Sequence, residues 1–230
     1  MTNSGLGSEL SGLLECSVCA RLATYRISLP PKGGRSRSDY WSRPVPGFGD
    51  PGARVCLVGL APGAHGANRT GRPFTGDGAG DFMYPLLYEA GFASQAAAEA
   101  LGDGLKLTDL YITNAVKCVP PDNKPTITEF ASCLPYLEKE LASLSRLRVV
   151  ILLGQGAFRS YLNLMKQSGG INRLSEAPFK HGAEYCFGGG PTVVASYHTS
   201  RYNVQTGRMT KQMFRGLLER VQELAGQENS

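Results

Sequence analysis

Four short, largely apolar segments punctuate the chain: RVCLVGL at 54–60, LTDLYITNAVKC at 107–118, LRVVILLG at 147–154 and PTVVASYH at 191–198. Apolar runs of this kind predict strands buried on both faces. Between them, TITEFASCLPYLEKELASL at 126–144 repeats its apolar positions near the helical period of 3.6, and DFMYPLLYEAGF reads as a second helix. Another helix is expected from about Gln155, and MTKQMFRGLLERVQEL forms the last one. Strands alternating with helices predict an α/β fold with a parallel, helix-flanked sheet, and 230 residues suit one such domain.

The first twenty residues read as a short helix with Leu10, Leu13 and Leu14 inward, leading into the CxxC of Cys16 and Cys19. Residues 28–53, rich in Pro, Gly and Ser, are expected to be a long surface connection. In a parallel sheet the ligand crevice lies off the carboxyl ends of the strands. The loops after residues 60, 113 and 197 all fall at that edge.

No apolar run approaches the length that spans a membrane, and the N-terminus lacks the order of a secretory signal. Six cysteines without such a signal point to a reducing cytoplasm and not to a disulfide framework. Cys56 and Cys186 are expected to be packed core thiols. Cys16 and Cys19, with Cys118 and Cys133, form two separated pairs able to close one thiolate site for zinc or an iron–sulfur cluster. Net charge is +5, with basic stretches at 21–43 and 201–220, which permits nucleic-acid binding.

Four residues at the crevice edge can carry chemistry. Phe74, in the Gly/Pro-rich loop 61–80, is either a core residue or a stacking platform. Asp77 precedes a helix and suits its N-cap. Asn114 is an amide in an apolar strand, able both to donate to and accept from a base edge. His198 ends the fourth strand and leads into a loop bearing Ser200, Arg201, Tyr202, Asn203 and Arg208, groups fitted to grip phosphates and wedge into a base stack.

GLAPGAHGANRTGRPFTGD, ITNAVKC, HTSRYNVQTGR and the CxxC…C…C set together resemble the iron–sulfur uracil-DNA glycosylases, most closely the type b, or family five, branch. The resemblance runs in order from Cys16 to the last helix. It implies a central four-stranded parallel sheet and a structural [4Fe–4S] cluster on Cys16, Cys19, Cys118 and Cys133, where spacing alone leaves zinc open. It also implies a monomer acting in the cytoplasm, at the nucleoid, on double-stranded DNA containing uracil or other damaged bases. Phe74 would stack on the extruded base, Asn114 would bond its Watson–Crick edge and His198 would donate to O2. Gly63, Ala64 and His65 would line the pocket, and the 199–208 loop would enter the minor groove, with Arg201 or Tyr202 as the wedge.

Two departures follow from the residues present. Ala64 stands where related branches carry a polar group that positions the attacking water, leaving Asp77 or His65 for that task. The histidine loop reads HTSRY where relatives often have HPSPL. The rival class is a non-catalytic metal-containing protein that binds DNA lesions without cutting them. An electron carrier fits less well, because the cysteine pairs are too far apart for a compact ferredoxin motif.

Overall fold

The computed structural model describes residues 12–226. Four parallel strands form the centre: β2 (Val55–Gly59), β3 (Leu110–Asn114), β4 (Val149–Leu153) and β6 (Thr192–Ser196). Two further strands of two residues each, β1 (Phe48–Gly49) and β5 (Glu184–Tyr185), pair antiparallel at the edges, so the sheet has six strands in the order β1-β3-β2-β4-β6-β5. Both outer strands lie in segments too short and polar to show as apolar runs.

Side chains alternate across the central strands, and both faces are dry. Val55, Leu57, Ile112, Ile151 and Val194 pack on one face with α3 (Gly78–Glu89) and α7 (Lys211–Gly226). Cys56, Val58, Val150, Leu152 and Val193 pack on the other with α4 (Ile127–Ser143) and α5 (Gly154–Gln167). The connections from β2 lead to β3 on one side and eventually to β4 on the other. The chain order therefore reverses between β2 and β4, the position at which such sheets open a crevice.

Several expectations need correction. The first described helix, α1 (Ala20–Ser28), follows the CxxC; ahead of it the chain turns at Gly12 (φ 83°) and bends as far as Cys19. Leu10 lies outside the described residues, while Leu13 is buried. The 28–53 segment holds a 3-10 turn (Arg37–Asp39) and β1 and is packed, not a surface connection: Tyr40 and Val45 are buried, and the N–H groups of Trp41 and Ser42 donate to the carbonyls of Arg69 and Asn68. Within 199–208 a short helix, α6 (Arg201–Gln205), replaces the expected loop. Cys56 is a core thiol as expected, but Cys186 is exposed.

Candidate active site and cysteine pocket

The last residues of β2 and β3 stand side by side in register, Gly59 beside Asn114. Gly59 has no side chain because the space is taken: a Cβ there would strike both Asn114 Oδ1 and the Phe74 ring. Asn114 is 2% exposed, yet among the described residues no partner bonds its carboxamide. The Phe74 and His198 rings face each other at 6.0 Å between centroids, tilted by 33°. His198 is seated on Gly154, whose φ of 85° turns the chain out of β4. Three expected readers thus stand together at the carboxyl ends of the strands. Burial holds the His198 imidazole well below its ordinary range, at a pKa of about 4, so it is neutral at physiological pH, and its Nδ1 has no partner.

Phe74 takes a left-handed backbone conformation, φ 52°, rare for a large side chain. The loop around it is braced to hold it there. Arg72, 1% exposed, donates through Nη1 and Nη2 to both Asp103 oxygens at 2.8 and 2.6 Å, and through Nε to Thr75 Oγ1 at 2.9 Å. Tyr84 Oη donates to the Pro73 carbonyl at 3.1 Å, and Gly80 lets α3 approach the Phe74 carbonyl so closely that a Cβ would overlap it. Burial pushes the Asp103 carboxyl up. The Arg72 guanidinium and the backbone N–H groups of Glu99, Leu105 and Ala100 outweigh that and hold it far below the usual range.

Asp77 caps α3: its Oδ1 accepts from the N–H groups of Ala79 and Gly80, both at 3.1 Å. Its Oδ2 faces the first loop. A Cβ on Gly63 would sit 3.0 Å from it, and one on Gly66 would overlap the carboxyl group. Burial raises the Asp77 pKa, and the two capping N–H groups only partly offset this. His65 is engaged elsewhere: its Nδ1 shares a hydrogen bond with Tyr40 Oη at 2.8 Å, and that hydroxyl also accepts from the Lys32 N–H. Ala64, beside Gly63, contributes no polar side chain.

Cys16, Cys19, Cys118 and Cys133 line a single pocket with Arg26, Lys117, Ser132 and Tyr136. None of the four is in a disulfide. Arg26, 7% exposed, donates from Nη1 to Cys118 Sγ at 3.1 Å, and its Nε is buried without a partner. Burial raises the Cys118 thiol and pushes that of Cys133 up to about 12. Among the described residues no trio of His, Cys, Asp or Glu side chains converges as the ligands of one metal ion.

The family model of the uracil DNA glycosylase superfamily matches residues 46–222. The chain belongs to that superfamily. It is 50% identical over 216 residues to the type-5 uracil-DNA glycosylase of Thermus thermophilus, covering 93% of this chain and 95% of that protein. It is 41% identical to the type-5 enzyme of Pyrobaculum aerophilum, covering 93% and 91%. The type-4 uracil-DNA glycosylase of Pyrobaculum aerophilum matches more weakly, 37% over 128 residues, covering 55% and 57%.

In this superfamily member the histidine loop is self-supporting. Ser200 Oγ accepts the Asn203 N–H at 3.4 Å, and Asn203 Nδ2 donates to the His198 carbonyl at 2.9 Å, so both residues fix the loop from within. Tyr202 is 72% exposed, Arg201 lies over Gly78, and the Arg208 guanidinium sits 4.8 Å above the Tyr197 ring. Part of the basic charge is spent inside the molecule: Arg21 pairs with Glu129, Arg215 with Glu89, and Arg220 with Glu184 and Glu223.

Sequence reasoning missed two ion pairs, one partly and one fully buried. One is Arg72–Asp103. The other is Lys117–Glu140, with side chains 1% and 0% exposed, in which Lys117 Nζ also donates to the Asn114 carbonyl at 2.8 Å and to Thr113 Oγ1 at 2.6 Å. Its signal was present: a lysine in the apolar run NAVKC and a glutamate on the apolar stripe of α4. The Arg72 loop offered no comparable sign.

Proposed function

We propose that the protein is a monofunctional DNA glycosylase that extrudes uracil from double-stranded DNA and hydrolyses its N-glycosidic bond, leaving an abasic site. The observation that carries this reading is the convergence of Phe74, Asn114 and a neutral His198 at the sheet's switch point, with Asp77 Oδ2 facing Gly63. Phe74 offers a face for stacking, and the Asn114 carboxamide both donates and accepts along a base edge.

Cleavage expels the base as an anion and leaves an electron-poor sugar. A neutral His198 N–H aimed at O2 stabilises that charge where it develops, a contribution of about 3–4 kcal/mol for a preorganised donor. Asp77, fixed by two backbone N–H groups, orients a water through its free oxygen. Because the leaving base departs as an anion, no proton donor to it is required. Extrusion costs a few kcal/mol, least at mispaired or damaged bases. Arg201 and Arg208, which form no salt bridge among the described residues, would with the exposed Tyr202 grip phosphates and hold the duplex open.

The cysteine pocket suits a [4Fe–4S] cluster held by Cys16, Cys19, Cys118 and Cys133. Four thiols lining one pocket are the donor set such a cluster takes, and zinc is the alternative occupant. Bound there, the cluster supplies a structural cross-link between the CxxC turn, the end of β3 and α4. Ala64 removes a polar barrier from the pocket, which supports acceptance of hydroxymethyluracil and hypoxanthine as well as uracil. The protein would act as a monomer in the cytoplasm, at the nucleoid; among the described residues no helix is long and apolar enough to cross a membrane.

Incubation with a 5′-labelled U:G duplex followed by alkali tests the reading. A strand break at the uracil is expected, and binding without a break would identify a lesion-binding protein instead. Excision of uracil alone from a panel of lesion duplexes would overturn the permissive pocket.

A further inference from the structure

Arg26 is buried at the last turn of α1, and among the described residues no carboxylate forms a salt bridge with it. Arg72, equally enclosed, has Asp103. The atoms Arg26 does reach belong to the cysteine site: Cys118 Sγ at 3.1 Å and the Cys16 carbonyl at 3.0 Å. A buried guanidinium needs an anion, and cysteines supply one when they are bound to metal as thiolates.

The same residue is tied to the first loop through its backbone. Asn68 Nδ2 donates to the Arg26 carbonyl at 3.3 Å, and Asn68 is 0% exposed. The Asn68 N–H closes the first loop by donating to the Gly63 carbonyl at 3.0 Å, and its own carbonyl accepts from Ser42 at 3.0 Å. An unbroken series of contacts therefore runs from Cys118 through Arg26 and Asn68 to the turn on which Asp77 rests.

We propose that Arg26 is the counter-ion of the thiolate site and, with Asn68, the strut by which metal binding sets the 63–68 turn of the base pocket. Arg26 is a positioning residue, and the inference rests on the metal-site reading above. Its charge beside a cluster sulfur favours the more negative, reduced state, so it raises the reduction potential. Asn68 carries the mechanical half of the device and leaves that charge untouched.

The two halves separate experimentally in the full chain as purified with its metal. Iron and acid-labile sulfide are first assayed in the parent protein; zinc without sulfide would overturn the cluster reading and leave the counter-ion role to be read from metal loss to a chelator. Arg26→Gln is expected to lose metal to chelator roughly 10–100-fold faster, as for other outer-shell partners, and to lower the midpoint potential if a cluster is present. Arg26→Lys, which keeps the charge, is expected to restore most of the potential and retention, and serves if the glutamine variant does not fold. Asn68→Ala is expected to leave the potential unchanged while hydrogen exchange of amides 63–68 accelerates. Unchanged metal retention in Arg26→Gln would overturn the counter-ion, and unchanged exchange in Asn68→Ala would overturn the strut.

Discussion

Asp103→Asn tests whether the base platform is held by a buried charge pair. Each Asp103 oxygen accepts one Arg72 nitrogen and at least one backbone N–H: Leu105 on Oδ1, Glu99 and Ala100 on Oδ2. Asparagine keeps one of these acceptors and turns the other into a donor facing donors. Arg72 is then an unpaired cation with a side chain 2% exposed. Breaking such a pair costs about 3–5 kcal/mol. For a domain of this size each kcal/mol lowers Tm by about 2–4 °C, which predicts a fall of roughly 6–20 °C.

The catalytic consequence passes through Phe74, whose left-handed backbone costs about 1–3 kcal/mol and persists only while its surroundings enforce it. If the ring relaxes, the loss of stacking, about 1–3 kcal/mol per base, lowers kcat/KM by roughly 5- to 150-fold. Circular-dichroism melts and single-turnover cleavage of a U:G duplex read the two effects separately. Asp103→Asn and Phe74→Leu are expected to be non-additive in kcat/KM, since both act on one platform. A Tm within about 2 °C of the parent, or fully additive kinetic losses, would refute the reasoning. Because the Asp103 pKa lies well below its ordinary 3.8, this stabilisation is present above that value and disappears only as pH falls through the depressed one.

His198→Ala is expected to lower single-turnover excision by roughly 10²–10³-fold while affinity for undamaged duplex stays near the parent value; equal loss of both would remove its catalytic role. The folded pKa of His198, about 4, lies below its ordinary 6.5, so its contribution to stability is complete above 6.5 and declines as pH falls toward 4. Tm measured across that range should fall less steeply in His198→Gln, although His65 and His181, shifted in the same direction, keep some slope. Asp77→Asn should slow turnover and remove the acidic limb of the rate profile, which the raised Asp77 pKa places above the usual carboxylate range; unchanged turnover would show that another group holds the water. Cys118→Ala should lose metal, stability and excision together, and a folded, fully active variant would show the cysteine site to be dispensable.

The central strands were legible because their side chains meet apolar helices on both sides, leaving continuous runs such as VVILL. The edge strands were not, since two residues paired on one side carry no periodicity. Asn114, His198 and Asp77 stood out as polar groups at strand ends or before a helix, positions that local chemistry makes conspicuous. Phe74 packs in the core on one sheet face while its ring faces His198, and its left-handed φ with Gly59 beside the ring appears only once distant segments pack. Arg26 read as one more charge in a basic stretch. Its burial depends on Cys118, 92 positions away, a contact no local pattern announces.

The bracing of Phe74 also bears on how lesions are ranked. Gly80, Tyr84 and the Arg72–Asp103 pair brace the Phe74 loop, so a base stacking on that ring would find it already placed. On the proposed reading, a receptacle already set, with only Ala64 where a selective side chain could stand, would discriminate little among bases once they are inside. Preference then passes to the duplex. The weaker the pairing and stacking around a lesion, the more often it presents itself, and U:G is expected to be processed ahead of U:A.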